Sequence, residues 1–330
     1  MFLLNFFLKF INFVKKYLGI IVFIFIIFFL IYFLFNIFKP KSFVSNYQFF
    51  EIKKGENIFN VSQKLYNQNL INSRLSFNLL GILTGKALRL QIGTYKLNSN
   101  LNLWQILNFI SSGQGREVSI SILPGHTIYD IDEVLAKNNI LQKGELIYYA
   151  KKNNLEGKLM PDNYMFFYNS KIEDVVNKIL DNFNKKMWPL LIQSNNPTST
   201  LIIASMLEKE APFFEDQKII TGIILNRLKL NMFLNIDATI CYAKILLNEF
   251  PINCLPITAL DLKINSAYNT YTNKGLPPGP ISNPSISAVQ AALNPVQTDY
   301  LYYLSDPKTK KTIFSKTLEE HNKNILKYLK

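Results

Sequence analysis

Lys54-Gly-Glu-Asn-Ile-Phe-Asn-Val-Ser-Gln-Lys-Leu65 and Pro124-Gly-His-Thr-Ile-Tyr-Asp-Ile-Asp-Glu-Val-Leu135 echo one another at a constant offset of 70 (124 against 54). Gly55, Ile58, Val61, Leu65 and Asn69 return as Gly125, Ile128, Ile131, Leu135 and Asn139. Apolar residues three and four apart mark the buried face of a helix, and the glycine ahead of them marks a turn. A strand-like stretch leads into each turn, Phe49 to Ile52 and Val118 to Leu123. Strand, turn and helix used twice predict small α+β modules across residues 48–150. Gln91-Ile-Gly-Thr-Tyr-Lys-Leu97, followed by Leu101 to Ser112, supplies a further strand and helix. Such modules either bind a ligand or act as packing that holds a second domain at a distance.

Ahead of the repeat, Leu18 to Phe38 contains no charged residue and is almost wholly Ile, Phe, Leu and Val. At about 1.5 Å per residue it spans roughly 30 Å, the thickness of a bilayer core, so residues 18–38 read as a transmembrane helix. A cleaved signal peptide has a shorter apolar core and a small-residue cleavage site, which is not seen before Lys39-Pro-Lys41. Residues 1–17 then form a short flanking segment whose Phe- and Leu-rich part, residues 2–14, is expected along the membrane interface. Residues 39–47 form a linker. Lys9, Lys15 and Lys16 precede the span and Lys39 and Lys41 follow it, so charge alone orients it weakly.

The net charge is +13, but residues 1–47 hold five lysines and no acid, leaving +8 for the rest. Lysine is spread through the chain. Arg116 and the pairs Lys151-Lys152 and Lys185-Lys186 build no basic stripe, which argues against a nucleic-acid partner. Anionic head groups and a negatively charged wall are the partners such a charge would attract. His126 and His321, with Cys241 and Cys254, match no zinc spacing, and no carboxylate cluster invites calcium, so no metal or other cofactor is expected. Neither histidine sits beside a Ser or Cys nucleophile motif. Cys241 reads most simply as a small core residue; a disulfide with Cys254 is the alternative, which spacing cannot decide.

The densest special composition lies at Tyr268-Asn-Thr-Tyr-Thr-Asn-Lys-Gly-Leu-Pro-Pro-Gly-Pro-Ile281. Gly275, Pro277, Pro278, Gly279 and Pro280 exclude helix and central strand and hold one irregular path. Tyr268, Asn269 and Tyr271 beside them offer flat apolar faces and amide groups, which suit a sugar's rings and hydroxyls. A rigid surface loop is the plainer reading.

With Ala204-Ser-Met-Leu-Glu-Lys-Glu-Ala211, Ile224-Leu-Asn-Arg-Leu228, Leu234-Asn-Ile-Asp-Ala-Thr-Ile-Cys-Tyr242 and the loop at 268–281, the chain resembles the endolytic murein transglycosylases of the YceG-like family. Leu155-Glu-Gly-Lys-Leu-Met-Pro-Asp-Asn-Tyr164, Asp299-Tyr-Leu-Tyr-Tyr303 and Glu320-His-Asn322 extend the likeness over everything after the membrane segment. Ala211, Asn235 and Ala238 depart from the family's usual Thr, Gln and Pro, and Lys311-Thr312 from its late Gly-His. The resemblance implies a LysM-like α+β region over 48–150 and a mixed α/β catalytic domain with a substrate groove over 151–330. It also implies an amino terminus in the cytoplasm and the remainder outside the cytoplasmic membrane, acting on peptidoglycan. It leaves open a partnership with penicillin-binding-protein synthases.

Within a helix, Glu208 and Glu210 stand about 200° apart and cannot share one cleft. Glu210 shares its face with Ile203, Met206 and Leu207; Glu208 lies with Leu201, Ala204 and Ser205. The carboxyl at the end of the bulkier stripe is the one desolvated, and desolvation raises its pKa and readies it as a proton donor. The resemblance places the catalytic glutamate on Glu210. It further implies a single-acid reaction in which the muramic acid's 6-hydroxyl attacks C1, leaving a 1,6-anhydro end. Asn226, Arg227, Asp237, Thr239, Tyr242, Tyr268, Asn269 and Tyr271 are the candidate groove residues, with Gly275, Pro277 and Gly279 shaping the loop. Arg227 suits a substrate carboxylate or a structural acid, and Asp162 reads as a turn residue. A non-catalytic, membrane-anchored wall-binding scaffold would share all of this except the need for a positioned acid.

Overall fold

The computed structural model describes residues 2–113, 116–248, 254, 256–309 and 311–329, the first of these as backbone only up to residue 15. Tertiary contacts divide the chain into two compact units, Met1–Glu117 and Val118–Lys330.

The first unit begins with one long helix, α1 (Phe2–Phe38). Gly19 is its single glycine and no proline precedes Pro40, so nothing in the sequence breaks it. Residues 2–14 are the opening turns of this same helix. Its stretch Lys16–Phe38 is long and apolar enough to cross a membrane. Strands β1 (Tyr47–Ile52) and β2 (Gly93–Asn98) pair antiparallel, Tyr47 opposite Asn98 and Ile52 opposite Gly93. Alternation along them buries Phe50 and Ile52 on one strand and Tyr95 and Leu97 on the other. Helices α2 (Ile58–Asn67), α3 (Arg74–Leu83) and α4 (Leu103–Ser112) close over that face with Val61, Leu65, Phe77 and Leu107.

The second unit repeats the plan. Strand β3 (Glu117–Ile122) is followed by α5 (Ile128–Lys137), α6 (Glu145–Asn153) and β4 (Asp162–Phe167), and β3 pairs with β4. The duplicated element is therefore strand-helix-helix-strand, larger than the strand-turn-helix legible in the sequence. Its second half escaped notice because the offset slips: α3 begins at 74 and α6 at 145, β2 at 93 and β4 at 162. Gly55 (φ +87°) and Gly125 (φ +81°) both take left-handed backbone, as do Asn69 and Asn139, which is why those residue types recur. The copies differ in use. The Gly55 turn meets nothing, whereas Gly125 N donates to the Asn283 carbonyl (2.9 Å) and Asn283 N donates to that of His126 (2.9 Å).

Beyond the repeat come α7 (Ile172–Lys186), the short α8 (Trp188–Leu191), α9 (Pro197–Glu210), α10 (Phe214–Lys229) and α11 (Asp237–Asn248). The loop at 268–281 leads to α12 (Ile286–Leu293), the antiparallel hairpin β5 (Tyr302–Ser305) and β6 (Thr312–Ser315), and α13 (Leu318–Tyr328). Helix α9 is the hub. Every residue from Thr200 to Leu207 is buried, with α10, α11 and α12 packed around it, as expected of a helix apolar on all sides. Leu201 and Ala204 join one core, while Ile202, Ile203, Met206 and Leu207 join another. Cys241 is not a lone core residue: it is bridged to Cys254, with Cα atoms 5.4 Å apart. Their intervening residues 249–253 lie outside those described.

Candidate functional site

Two carboxylates leave the end of α9 in different directions. Glu208 accepts from the backbone N (2.8 Å) and hydroxyl (2.6 Å) of Ser285, the residue that caps α12. Glu210, the last residue of α9, faces the other way, into a cleft of about 490 Å³. Tyr303 on β5 donates to its Oε2 (2.8 Å), and Ala238 N, in the first turn of α11, makes a long contact of 3.5 Å with Oε1. The carboxyl opens on the cleft yet is walled by the core cluster of Ile203, Met206 and Leu207. That desolvation pushes its pKa up to about 7 and outweighs the Tyr303 hydrogen bond, which pulls it down; the nearby Asp237 charge adds to the rise.

Arg227, Asp237 and Tyr271 line the same cleft. The Tyr271 hydroxyl donates to Asp237, and burial raises the pKa of that phenol. Among the described residues Arg227 meets no acid. Its Nε donates to the Leu301 carbonyl (2.6 Å) and its Nη1 to those of Leu234 (2.7 Å) and Phe233 (3.2 Å), while the guanidinium lies 5.0 Å from the Tyr302 ring centre. Five N–H donors in a planar fork suit this backbone pocket, and burial lowers the Arg227 pKa. His321 of α13 stacks on that same Tyr302 ring, with centres 5.3 Å apart, and it too lines the cleft. Leu318, Ile325 and Leu329 complete an apolar wall.

The other sequence candidates are not among the residues lining this cleft. Asn226 donates to the Thr298 carbonyl (2.7 Å). Thr239 is buried against Thr270 (2.9 Å between hydroxyl oxygens). Asn269 is buried too, its amide donating to the carbonyls of Ile264 (2.8 Å) and Leu262 (3.0 Å). Tyr242 packs on Tyr268, with ring centres 4.9 Å apart, and donates to Glu156 (3.0 Å). Glu156 also accepts from Ile128 N and Asn283 Nδ2, and burial pushes its pKa up to about 7.

The Pro/Gly loop braces α9. Ile281 N donates to the Ser205 hydroxyl (3.0 Å), and the Ser282 hydroxyl donates to the Ser205 carbonyl (2.9 Å). Pro277 is buried, and Pro280 sits where a Cβ on Gly157 would lie, 2.6 Å away. Gly275 has φ +86° in open space, whereas Gly279 faces the Tyr268 hydroxyl, 3.1 Å from where its Cβ would be. Tyr302, Tyr303 and His321 were missed as site residues, although two short blocks quoted for the resemblance, 299–303 and 320–322, contain them. Among the described residues no cluster of three or more His, Cys, Asp or Glu is placed to hold a metal ion.

Residues 50–327 match the model of the YceG-like family. An endolytic murein transglycosylase of Bacillus subtilis (strain 168) is 30% identical over 311 residues, covering 84% of this chain and 84% of that protein. A namesake from Streptococcus pneumoniae serotype 2 is 35% identical over 179 residues, which is 53% of this chain but only 32% of the relative's length. The crystal structure of a yceG-like protein from Listeria monocytogenes superposes with a TM-score of 0.54 at 31% identity, covering 85% of this chain and all of that one.

Proposed function

This chain belongs to the YceG-like family, and from that premise we propose that it is a membrane-anchored endolytic peptidoglycan lytic transglycosylase. It cleaves the β-1,4 bond between N-acetylmuramic acid and N-acetylglucosamine and leaves a 1,6-anhydro end, which would end the growth of a nascent strand. One observation carries the reading: Glu210 has a pKa near neutrality while facing an open, tyrosine-lined cleft. Such a carboxyl is protonated often enough to donate, and ionised often enough to accept.

In the proposed reaction the Glu210 proton goes to the glycosidic oxygen as the C1–O bond breaks. Positive charge develops at C1 of the muramic residue, and its own 6-hydroxyl oxygen forms the new bond to C1. The hydroxyl proton passes to Glu210, which ends as it began. No water is consumed and no second catalytic carboxylate is needed, unlike ordinary glycosidases. Tyr303 holds the carboxyl in place. Asp237 and Tyr271, joined to each other, offer an acceptor and an aromatic edge to sugar hydroxyls. Asn226, Thr239, Tyr242, Tyr268, Asn269, Gly275, Pro277 and Gly279 act by holding the walls, and Arg227 by fixing the strand and loop carbonyls behind the cleft.

The Cys241–Cys254 bridge supports an oxidising, extracytoplasmic setting for the second unit, and α1 supports a single-pass anchor, whose amino terminus would then lie in the cytoplasm. The twice-used strand-helix-helix-strand element supports a LysM-like reading, with glycan strands as its ligand. A synthase of the penicillin-binding-protein type is the partner this placement would serve. Incubating peptidoglycan with the protein and with Glu210→Gln tests the reaction: anhydro-muropeptides should appear by mass spectrometry only with the former. Their absence from both, with binding retained, would make the chain a wall-binding scaffold.

A further inference from the structure

The last turns of α1 are covered on one side only. From Leu18 to Tyr32 the helix stands bare of the protein, then Phe33 is half-buried and Asn36 and Ile37 are buried. Phe33 and Ile37 pack into the core of the first unit. The bare stretch is about 22 Å long at 1.5 Å per residue, shorter than the roughly 30 Å of a bilayer core. The covered turns, Phe33–Phe38, supply about another 9 Å, and their uncovered side carries Leu34, Phe35 and Phe38, each more than half exposed. A span that satisfies the bilayer must therefore take these turns with it, and with them whatever packs against Phe33.

What packs there is α3 and α4. The start of α3 is fixed beside the end of α1, where Asn72 donates to the carbonyls of Pro40 (3.3 Å) and Lys39 (3.5 Å). Helix α3 also packs on α1. It is apolar on its outward side as well as its inward one: Ile82 and Leu83 (74% exposed) end it, and Leu88 (94% exposed) follows on a short 3-10 turn, Lys86–Leu88. Arg89 follows that leucine and is exposed, whereas the Lys86 ammonium is engaged within the protein, donating to Asn108 Oδ1 and lying 4.3 Å from the Trp104 ring centre. Exposed leucines bordered by a cation are the composition of a segment that lies in the head-group layer.

We infer that the first unit is seated in the bilayer surface through Ile82, Leu83 and Leu88, with Arg89 among anionic head groups, so that α1 and this patch form one continuous lipid-facing surface. The inference rests on α1 crossing a membrane, and the test separates the two. The full chain is placed in nanodiscs of phosphatidylcholine and phosphatidylglycerol, with single environment-sensitive labels at Leu83→Cys, Leu88→Cys, Lys54→Cys and Phe25→Cys. The native cysteines are bridged and do not react. Labels at 83 and 88 should lose at least half their emission to lipids carrying a nitroxide high on the acyl chain and should resist iodide in the water. The label at 54 should do the reverse, and the label at 25 should respond to deeply placed nitroxides. Iodide-quenched labels at 83 and 88, with position 25 still deep, would overturn the seating and leave the anchor intact. Lipid quenching equal at 54 and 88 would refute this choice of face, and a position 25 open to iodide would refute both.

Discussion

Replacing Tyr303 by phenylalanine removes one hydroxyl, and the reasoning fixes the direction of the result. That hydroxyl donates to Glu210 Oε2 at 2.8 Å, and a bond of this kind favours the ionised carboxyl. Without it the carboxyl keeps the burial that raises its pKa and loses the contact that opposes that rise. A hydrogen bond to a charged group contributes about 1.5–3 kcal/mol, and 1.36 kcal/mol corresponds to one pKa unit. The Glu210 pKa should therefore climb by roughly 1–2 units from about 7. Since the acid must be protonated to act, the alkaline limb of the rate profile should move upward by that amount. The rate on the plateau should fall as well, because the carboxyl is less firmly aimed. Release of anhydro ends from purified glycan strands, followed across the whole profile for both proteins, measures it. An alkaline limb that stays in place, or moves down, would refute the assignment of Glu210 as the acid governed by Tyr303.

Glu210 has a raised folded-state pKa, so between its usual value near 4.5 and about 7 the unfolded chain has lost a proton that the native one keeps. Stability should fall with rising pH across that window by up to about 3 kcal/mol from Glu210, with buried Glu156 adding a like share, and Glu210→Gln should remove roughly half of the decline in urea titrations; an unchanged slope would contradict the burial argument. Gly157→Ala places a Cβ at φ +85° and 2.6 Å from Pro280, and a loss of roughly 2–5 kcal/mol is expected by denaturant midpoint. Reducing Cys241–Cys254, whose partners are 13 apart in sequence, should lower stability by about 3 kcal/mol, with a fall in thermal midpoint as the readout.

The elements with local causes were legible in the sequence. Glycine turns, apolar spacing and the long uncharged run predicted the repeated modules and the α1 span, and the 200° separation of Glu208 from Glu210 is what sends them to different neighbours. Misreadings arose where the decisive contact is distant. Tyr303 reaches Glu210 across 93 positions, and no local pattern announces that pairing. Asn269, Thr239 and Asn226 carry groups that suit a sugar, yet in the fold those groups serve backbone carbonyls and one another. Arg227 suits a substrate carboxylate or a structural acid by type, and in the fold its fork also meets the carbonyls that the irregular chain leaves at Phe233, Leu234 and Leu301. The bridge between Cys241 and Cys254 depends on the path of the segment after α11, which spacing does not reveal.

The two copies of the glycine turn have unequal freedom to vary. Around Gly55 an added Cβ would meet nothing within 4 Å, so a longer loop there should leave the fold untouched so long as the left-handed corner is kept. Around Gly125 the same corner is held to Asn283 by paired backbone bonds, and a Cβ there would lie 3.6 Å from the side chains of Glu208 and Lys209. An insertion there would press on the end of the helix that carries Glu210. One turn is thus a handle for engineering, and its twin is a keystone.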